Sequence, residues 1–174
     1  MKRTRKLGIL LGVLLVACVA AFAALRYEEH QEQIKNSEET ILEIQEDTVT
    51  NLSWNIKDGD EFSLRKEGDT WIYEAEETFP VDAEKVSSML SMFEDFGVSF
   101  VIEDVEDYSQ YGLDNPVCTI DLDTSEQSYE ITLGDYSKMD SERYVSIGDG
   151  NVYLVQNDPY DTFNCELKSL IAQD

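Results

Sequence analysis

The most regular pattern in the chain is a two-residue alternation. In "NLSWNI", residues 51–56, Leu52, Trp54 and Ile56 fall on one side of an extended strand and Asn51, Ser53 and Asn55 on the other, as a half-buried sheet requires. "EFSLRKEGDTWIYEAE" repeats the alternation on both sides of Glu67, Gly68 and Asp69, which predicts a hairpin with a glycine-bearing turn. Phe62 and Leu64 then share a layer with Trp71 and Tyr73. At "PVDAEKVSSMLSMFEDFG" the period changes: Val86, Met89, Leu90, Phe93 and Phe96 follow helical spacing, so the segment predicts an amphipathic helix with its apolar stripe on the core. Asp82 stands where an N-cap is needed and Gly97 where a helix usually stops.

Strand signals return in "VSFVIEDV", "VCTIDL", "SYEITL", "RYVSI" and "NVYLV", with turns at 124–127 and 148–150. Short runs at this spacing predict an antiparallel meander. Tyr144 and Tyr153 alternate out of phase with Val145, Ile147, Val152 and Leu154, which predicts a second apolar surface packed under a helix. "DPYDTFNCELKSLI" predicts a closing helix with Asp158 as N-cap, Pro159 at the first position, and Phe163, Leu167 and Leu170 on one face. The expected class is α+β, a mostly antiparallel sheet with two packed helices.

A different pattern precedes this domain. Residues 7–25, "LGILLGVLLVACVAAFAAL", contain no charged or strongly polar side chain. A helix of about 20 apolar residues spans a bilayer core of roughly 30 Å. Lys2, Arg3, Arg5 and Lys6 precede the segment, and Glu28 and Glu29 follow it. Basic residues stay on the cytoplasmic side, so the expected order is a cytoplasmic lead at 1–6, a transmembrane helix at 7–25, a polar stalk at 26–39 and an extracytoplasmic domain at 40–174. The N-terminus is expected in the cytoplasm and the C-terminal domain outside it. Two other readings stay open. One is a cleaved secretory signal, whose apolar core is normally shorter. The other is lipidation at Cys18, because "LVAC" resembles a bacterial lipobox, although "VAAFAAL" prolongs the apolar run beyond it.

Charge narrows the partners. The chain carries 13 Lys and Arg against 37 Asp and Glu, for a net of −24, and five of the basic residues lie within 1–26. Beyond residue 26 there are 8 basic and 37 acidic side chains, a net of −29. Such a domain repels phosphate backbones and anionic headgroups, which argues against nucleic acid and favours basic partners. The only histidine is His30, in the stalk, so a Ser-His-Asp or Cys-His arrangement inside the domain has no base. No HExxH, CxxC or Walker-type loop occurs, and no catalytic residue, metal site or cofactor is assigned. "DLDTSEQSYE" starts like a calcium loop but has Glu126 where glycine is required. "EDVED" at 103–107 reads as a solvated edge that discourages strand pairing. Cys118 and Cys165 are read as small buried residues, with a single disulfide as the alternative.

Between two of the predicted strands lies "YGLDNP": Tyr111, Gly112, Leu113, Asp114, Asn115 and Pro116. Gly112 can close a helical turn over 107–111 with a positive φ, and Pro116 directs Asn115 into extended backbone. Tyr111 and Leu113 then act as apolar pegs, so the stretch is read as structural rather than as a ligand site. Together with "SLRKEGDTWIYE", "FPVDAEKV", "ITLGD" and "RYVSIGDGNVYLV", it resembles the domain of unknown function 4340 family of bacterial envelope proteins over residues 40–172. That resemblance implies a short basic lead, one hydrophobic segment and no assigned catalytic residues. Some members are encoded beside ABC-type transport systems of the gliding-motility kind, which implies an accessory role. The expected function is a membrane-anchored, non-catalytic binding or scaffolding module. The alternative is a lipoprotein-type solute- or polysaccharide-binding accessory of an ABC transporter.

Overall fold

Strand β2 (Val49–Ile56) lies inside the main sheet because both of its edges are paired. β3 (Glu61–Glu67) takes one edge in antiparallel register, with Leu52 opposite Leu64 and Trp54 opposite Phe62. β7 (Cys118–Thr124) takes the other, with Leu52 opposite Leu122 and Trp54 opposite Ile120. This is a computed structural model of the chain that describes residues 39–172, apart from residue 104, and residue 19. From β3 the sheet continues to β4 (Thr70–Tyr73). From β7 it continues through β8 (Ser128–Ser137), β9 (Glu142–Ser146) and β10 (Val152–Val155) to β6 (Phe100–Ile102) at the far edge. All these pairings are antiparallel. β1 (Glu39–Leu42) and β5 (Phe96–Val98) form a separate antiparallel ribbon.

Residues opposite one another in a ladder share a face, so the register lays out the core in rows. Phe62, Trp54, Ile120 and Ile131 form one row, and Ile56, Cys118, Leu133, Val145 and Tyr153 form another; all are buried. Helix α1 (Ala83–Leu90) contributes Val86, Met89 and Leu90 to the same core. Its N-cap is Asp82, whose carboxylate accepts from the backbone N–H of Glu84 at 3.0 Å and of Lys85 at 3.3 Å. Trp54 stacks on Phe62 with ring centroids 4.8 Å apart and meets Phe163, in helix α2 (Tyr160–Phe163), edge-on at 5.5 Å. The C-terminal segment is tied down further on: the Asp82 N–H donates to the Leu170 carbonyl at 2.8 Å, and the Ala172 N–H to the Pro80 carbonyl at 3.0 Å. The indole Nε1–H of Trp54 is buried with no acceptor among the described residues. A buried donor left without a partner costs about 1–3 kcal/mol.

Residues 39–172 are therefore α+β and mostly antiparallel, with two helices, but several details differ from the sequence reading. The apolar stripe at 86–96 is not one helix: α1 ends at Leu90, a 3-10 turn carries Phe93, and Phe96 begins β5. The pairing of Gly97 with Thr40 turns the expected helix stop into a strand residue, and β1 starts at Glu39, inside the expected stalk. The closing helix also breaks. Phe163 lies in α2, whereas Leu167 and Leu170 lie in a separate 3-10 turn after an extended Glu166. The meander is true of β7 to β10, but β6, which precedes them in sequence, pairs with β10. The expected transmembrane segment at 7–25 lies, apart from residue 19, outside the described residues. Among the described residues no helix is long and apolar enough to cross a membrane.

The opposite face of β3, β2, β7 and β8 carries the rows Ser63, Ser53, Asp121, Glu130 and Arg65, Asn51, Asp123, Ser128. Partial burial raises the Asp121 carboxyl, and the nearby Glu130 and Asp123 charges raise it further. A carboxyl whose folded-state pKa is raised costs stability while it is ionised, and that cost disappears as pH falls through the folded pKa. Asp121→Asn should therefore raise the melting temperature slightly near neutral pH, by the equivalent of a few tenths of a kcal/mol given its exposure. The gain should fade in acid, where the wild-type carboxyl is already protonated. A gain that persists unchanged across both pH ranges would count against electrostatic repulsion as the cause.

Candidate functional site

"YGLDNP" closes a short turn and presses it onto the sheet. Residues Ser109–Tyr111 form a 3-10 turn whose start is held by Asp107: its carboxylate accepts from the Ser109 backbone N–H at 3.0 Å and hydroxyl at 2.6 Å. Those two donors hold the Asp107 carboxyl below its ordinary range. Gly112 ends the turn at φ 70°, and two bonds complete a Schellman cap, Gly112 N–H to the Ser109 carbonyl and Leu113 N–H to the Tyr108 carbonyl, both at 3.1 Å. Leu113 is buried, and the Tyr111 ring meets Tyr144 with centroids 5.0 Å apart. Asp114 and Asn115 are exposed and Pro116 is half-buried. Past the proline, Val117 N–H donates to the Leu133 carbonyl at 2.8 Å and leads the chain into β7. The two residues expected as apolar pegs, Tyr111 and Leu113, pack against the sheet, whereas Asp114 and Asn115 face solvent and the Asn115 carbonyl accepts from Lys57 Nζ at 3.5 Å. Cys18, the residue singled out for lipidation, lies outside the described residues.

The surface that receives this turn is the β8 segment at Gly134 and Asp135. A Cβ on Gly134 would stand 2.2 Å from the Tyr111 carbonyl oxygen, and one on Gly112 would stand 2.6 Å from Asp135 Cγ. Here β8 also loses regular register with β9, between Leu133 and Tyr136. The freed Gly134 carbonyl accepts from Nη1 of Arg143 at 2.7 Å. Arg143 has a side chain only 9% exposed, and its Nε donates to both carboxylate oxygens of Asp158, at 2.7 and 2.8 Å. Its guanidinium lies 4.7 Å from the Tyr160 ring centroid and 5.7 Å from that of Tyr136. Asp158 in turn accepts from the Tyr160 N–H at 3.0 Å at the start of α2, although Pro159 takes the N-cap position expected of Asp158.

Three of the stretches that carry the family resemblance thus meet at one place: "YGLDNP" through Tyr111, Gly112 and Leu113, "ITLGD" through Gly134, and "RYVSIGDGNVYLV" through Arg143 and Tyr144. What the arrangement does chemically is hold three segments in register. Sequence reasoning missed Gly134 and Arg143, although a signal existed for Arg143, which falls in the same alternating phase as the core residue Val145. The expected tyrosine surface is also revised. Tyr153 pairs with Val145 on the main core face, whereas Tyr144 pairs with Leu154 on the other and is covered by the Tyr111 turn rather than by a helix.

Cys118 and Cys165 are free thiols. Burial pushes the Cys118 thiol up to about 12, against a smaller opposing pull from Arg143, and burial also raises Cys165. Cys118 should stay unmodified by iodoacetamide near neutral pH and react once guanidinium unfolds the chain, as read by peptide mass. Labelling of the folded protein at the unfolded rate would contradict its place in the core. Among the described residues, no group of three or more His, Cys, Asp and Glu side chains comes together as a metal-binding set.

Comparison with known proteins bears on the family resemblance alone. No curated protein and no solved structure matches the chain. One family model does match, the domain of unknown function DUF4340, over residues 71–174. The match opens at Trp71 in β4 and leaves out β1, β2 and β3, a shorter reach than the 40–172 expected from the motifs. It takes in the whole junction of Tyr111, Gly112, Gly134, Arg143 and Asp158, and the chain belongs to the DUF4340 family.

Proposed function

We propose that this protein is a single-pass, membrane-anchored module of the bacterial envelope whose extracytoplasmic α+β domain binds or scaffolds another protein without catalysis. The observation that carries the proposal is the uncharged run at 7–25, set between four basic residues and a stretch beyond residue 26 of net −29. The basic lead stays on the cytoplasmic side and so orients such a helix with the domain outside the cytoplasm. The role of the family stretches supports the non-catalytic part, because their glycines, arginine and aromatic rings are engaged in packing. A second reading is favoured by "LVAC" at 15–18: lipidation at Cys18 and an accessory role beside an ABC transporter.

Intact-mass analysis of protein extracted from its native membrane, followed by crosslinking of the same preparation, separates the two. The expected result is a chain that retains residues 7–25, carries no acyl group and crosslinks to a defined membrane protein. A mass that starts at Cys18 with acyl chains, and that returns to the unprocessed value in Cys18→Ser, would replace the helical anchor by the lipoprotein. Absence of any reproducible crosslinked partner would overturn the scaffolding role under either anchor.

A further inference from the structure

The methionines among the described residues differ sharply in exposure. Met89 is 4% exposed on the core face of α1, and Met92 packs half-buried against the same core. Met139 is 90% exposed in the loop between β8 and β9. That loop is held in shape: the Ser137 hydroxyl donates to Asp140 Oδ2 at 2.7 Å, the Ser141 N–H donates to the Ser137 carbonyl at 2.9 Å, and Ser141 itself sits at φ 60°. The thioether is therefore presented to solvent by an ordered hairpin.

We propose that Met139 is a modification site for peroxide-class oxidants. With hydrogen peroxide, the sulfur lone pair attacks one oxygen, the O–O bond breaks, the proton on the transferred oxygen passes to the departing hydroxide, and the products are methionine sulfoxide and water. The sulfur is oxidised and the peroxide reduced, with no other reagent. Susceptibility follows access, and a sulfoxide is disruptive where the side chain lies in a core. At Met139 the added oxygen points into water, so the modified domain keeps its fold. At Met89 the same oxygen has no room.

The test is hydrogen peroxide treatment of the full-length protein in mild detergent, with time-resolved peptide mapping of the added oxygen. Met139 should be oxidised at least about tenfold faster than Met89 or Met92, and a sample modified there alone should melt at the wild-type temperature. In guanidinium the three rates should converge, because the fold and not the local sequence sets the difference. Equal rates in the folded protein would overturn the proposal. So would a preference for Met139 that survives unfolding, or a melting temperature lowered by its modification.

Discussion

Gly134→Ala should cost the domain about 3 kcal/mol, the upper end for one methyl group added to a packed interior. The new Cβ would meet the Tyr111 carbonyl oxygen at 2.2 Å and Leu113 Cγ at 3.0 Å. The first obstacle is backbone, so it cannot turn aside as a side-chain tip can. Moving the turn away would unseat Leu113 and part the Tyr111 and Tyr144 rings. Moving β8 away would lengthen the bond between Gly134 and Arg143. For a domain of this size the loss lowers the melting temperature by roughly 10 °C, measurable by thermal circular dichroism. Gly97→Ala is the control, since no atom lies within 4 Å of where its methyl group would stand and its φ is not positive; it should shift melting by less than about a third as much. If Gly134→Ala melts with wild type, the turn is not seated on β8 as described.

Arg143→Met should be more damaging still, at about 3–5 kcal/mol, the usual cost of removing one partner of a buried pair. The substitution keeps an apolar stem of similar length but leaves the Asp158 carboxylate, only 14% exposed, without its cation and the Gly134 carbonyl without its donor. Removing both charges in Arg143→Met with Asp158→Leu should recover part of the loss, because the stranded carboxylate is gone. The recovery stays incomplete, since Asp158 also accepts from the Tyr160 N–H at the start of α2. Chemical denaturation of the two single variants and the double gives the coupling directly. Additive losses would mean that the pair is not coupled.

Much of this fold was legible because local pattern and final environment agree. The alternation of Leu52, Trp54 and Ile56 identifies β2, and Asp82 identifies the start of α1. Gly112 and Pro116 were readable as punctuation, since positive φ and a fixed φ are properties of single residues. What escaped depends on partners remote in sequence. Phe96 continues a helical stripe and yet belongs to a strand, because Leu42 pairs with it across more than fifty residues. Gly134 resembles any turn glycine until the Tyr111 carbonyl arrives against it. Arg143 shares the inward phase of Val145, but nothing nearby in sequence announces Gly134, Asp158 and Tyr160 around it.

The seam between β2 and β7 has a consequence for how the chain is made. Val49 pairs with Thr124 and Ile56 with Cys118, so one edge of β2 has no ladder partner until residue 124 has been delivered. During synthesis, the β2, β3 and β4 hairpins emerge first with an open, apolar-faced edge. Closing that edge requires bridging a loop of more than sixty residues, and contacts this far apart in sequence make folding slow. The acidic residues around it, Asp58, Asp60 and Glu61 at one end and Glu46 and Asp47 at the other, put like charge on nascent chains, which repel one another during the interval in which their strands are still unmatched.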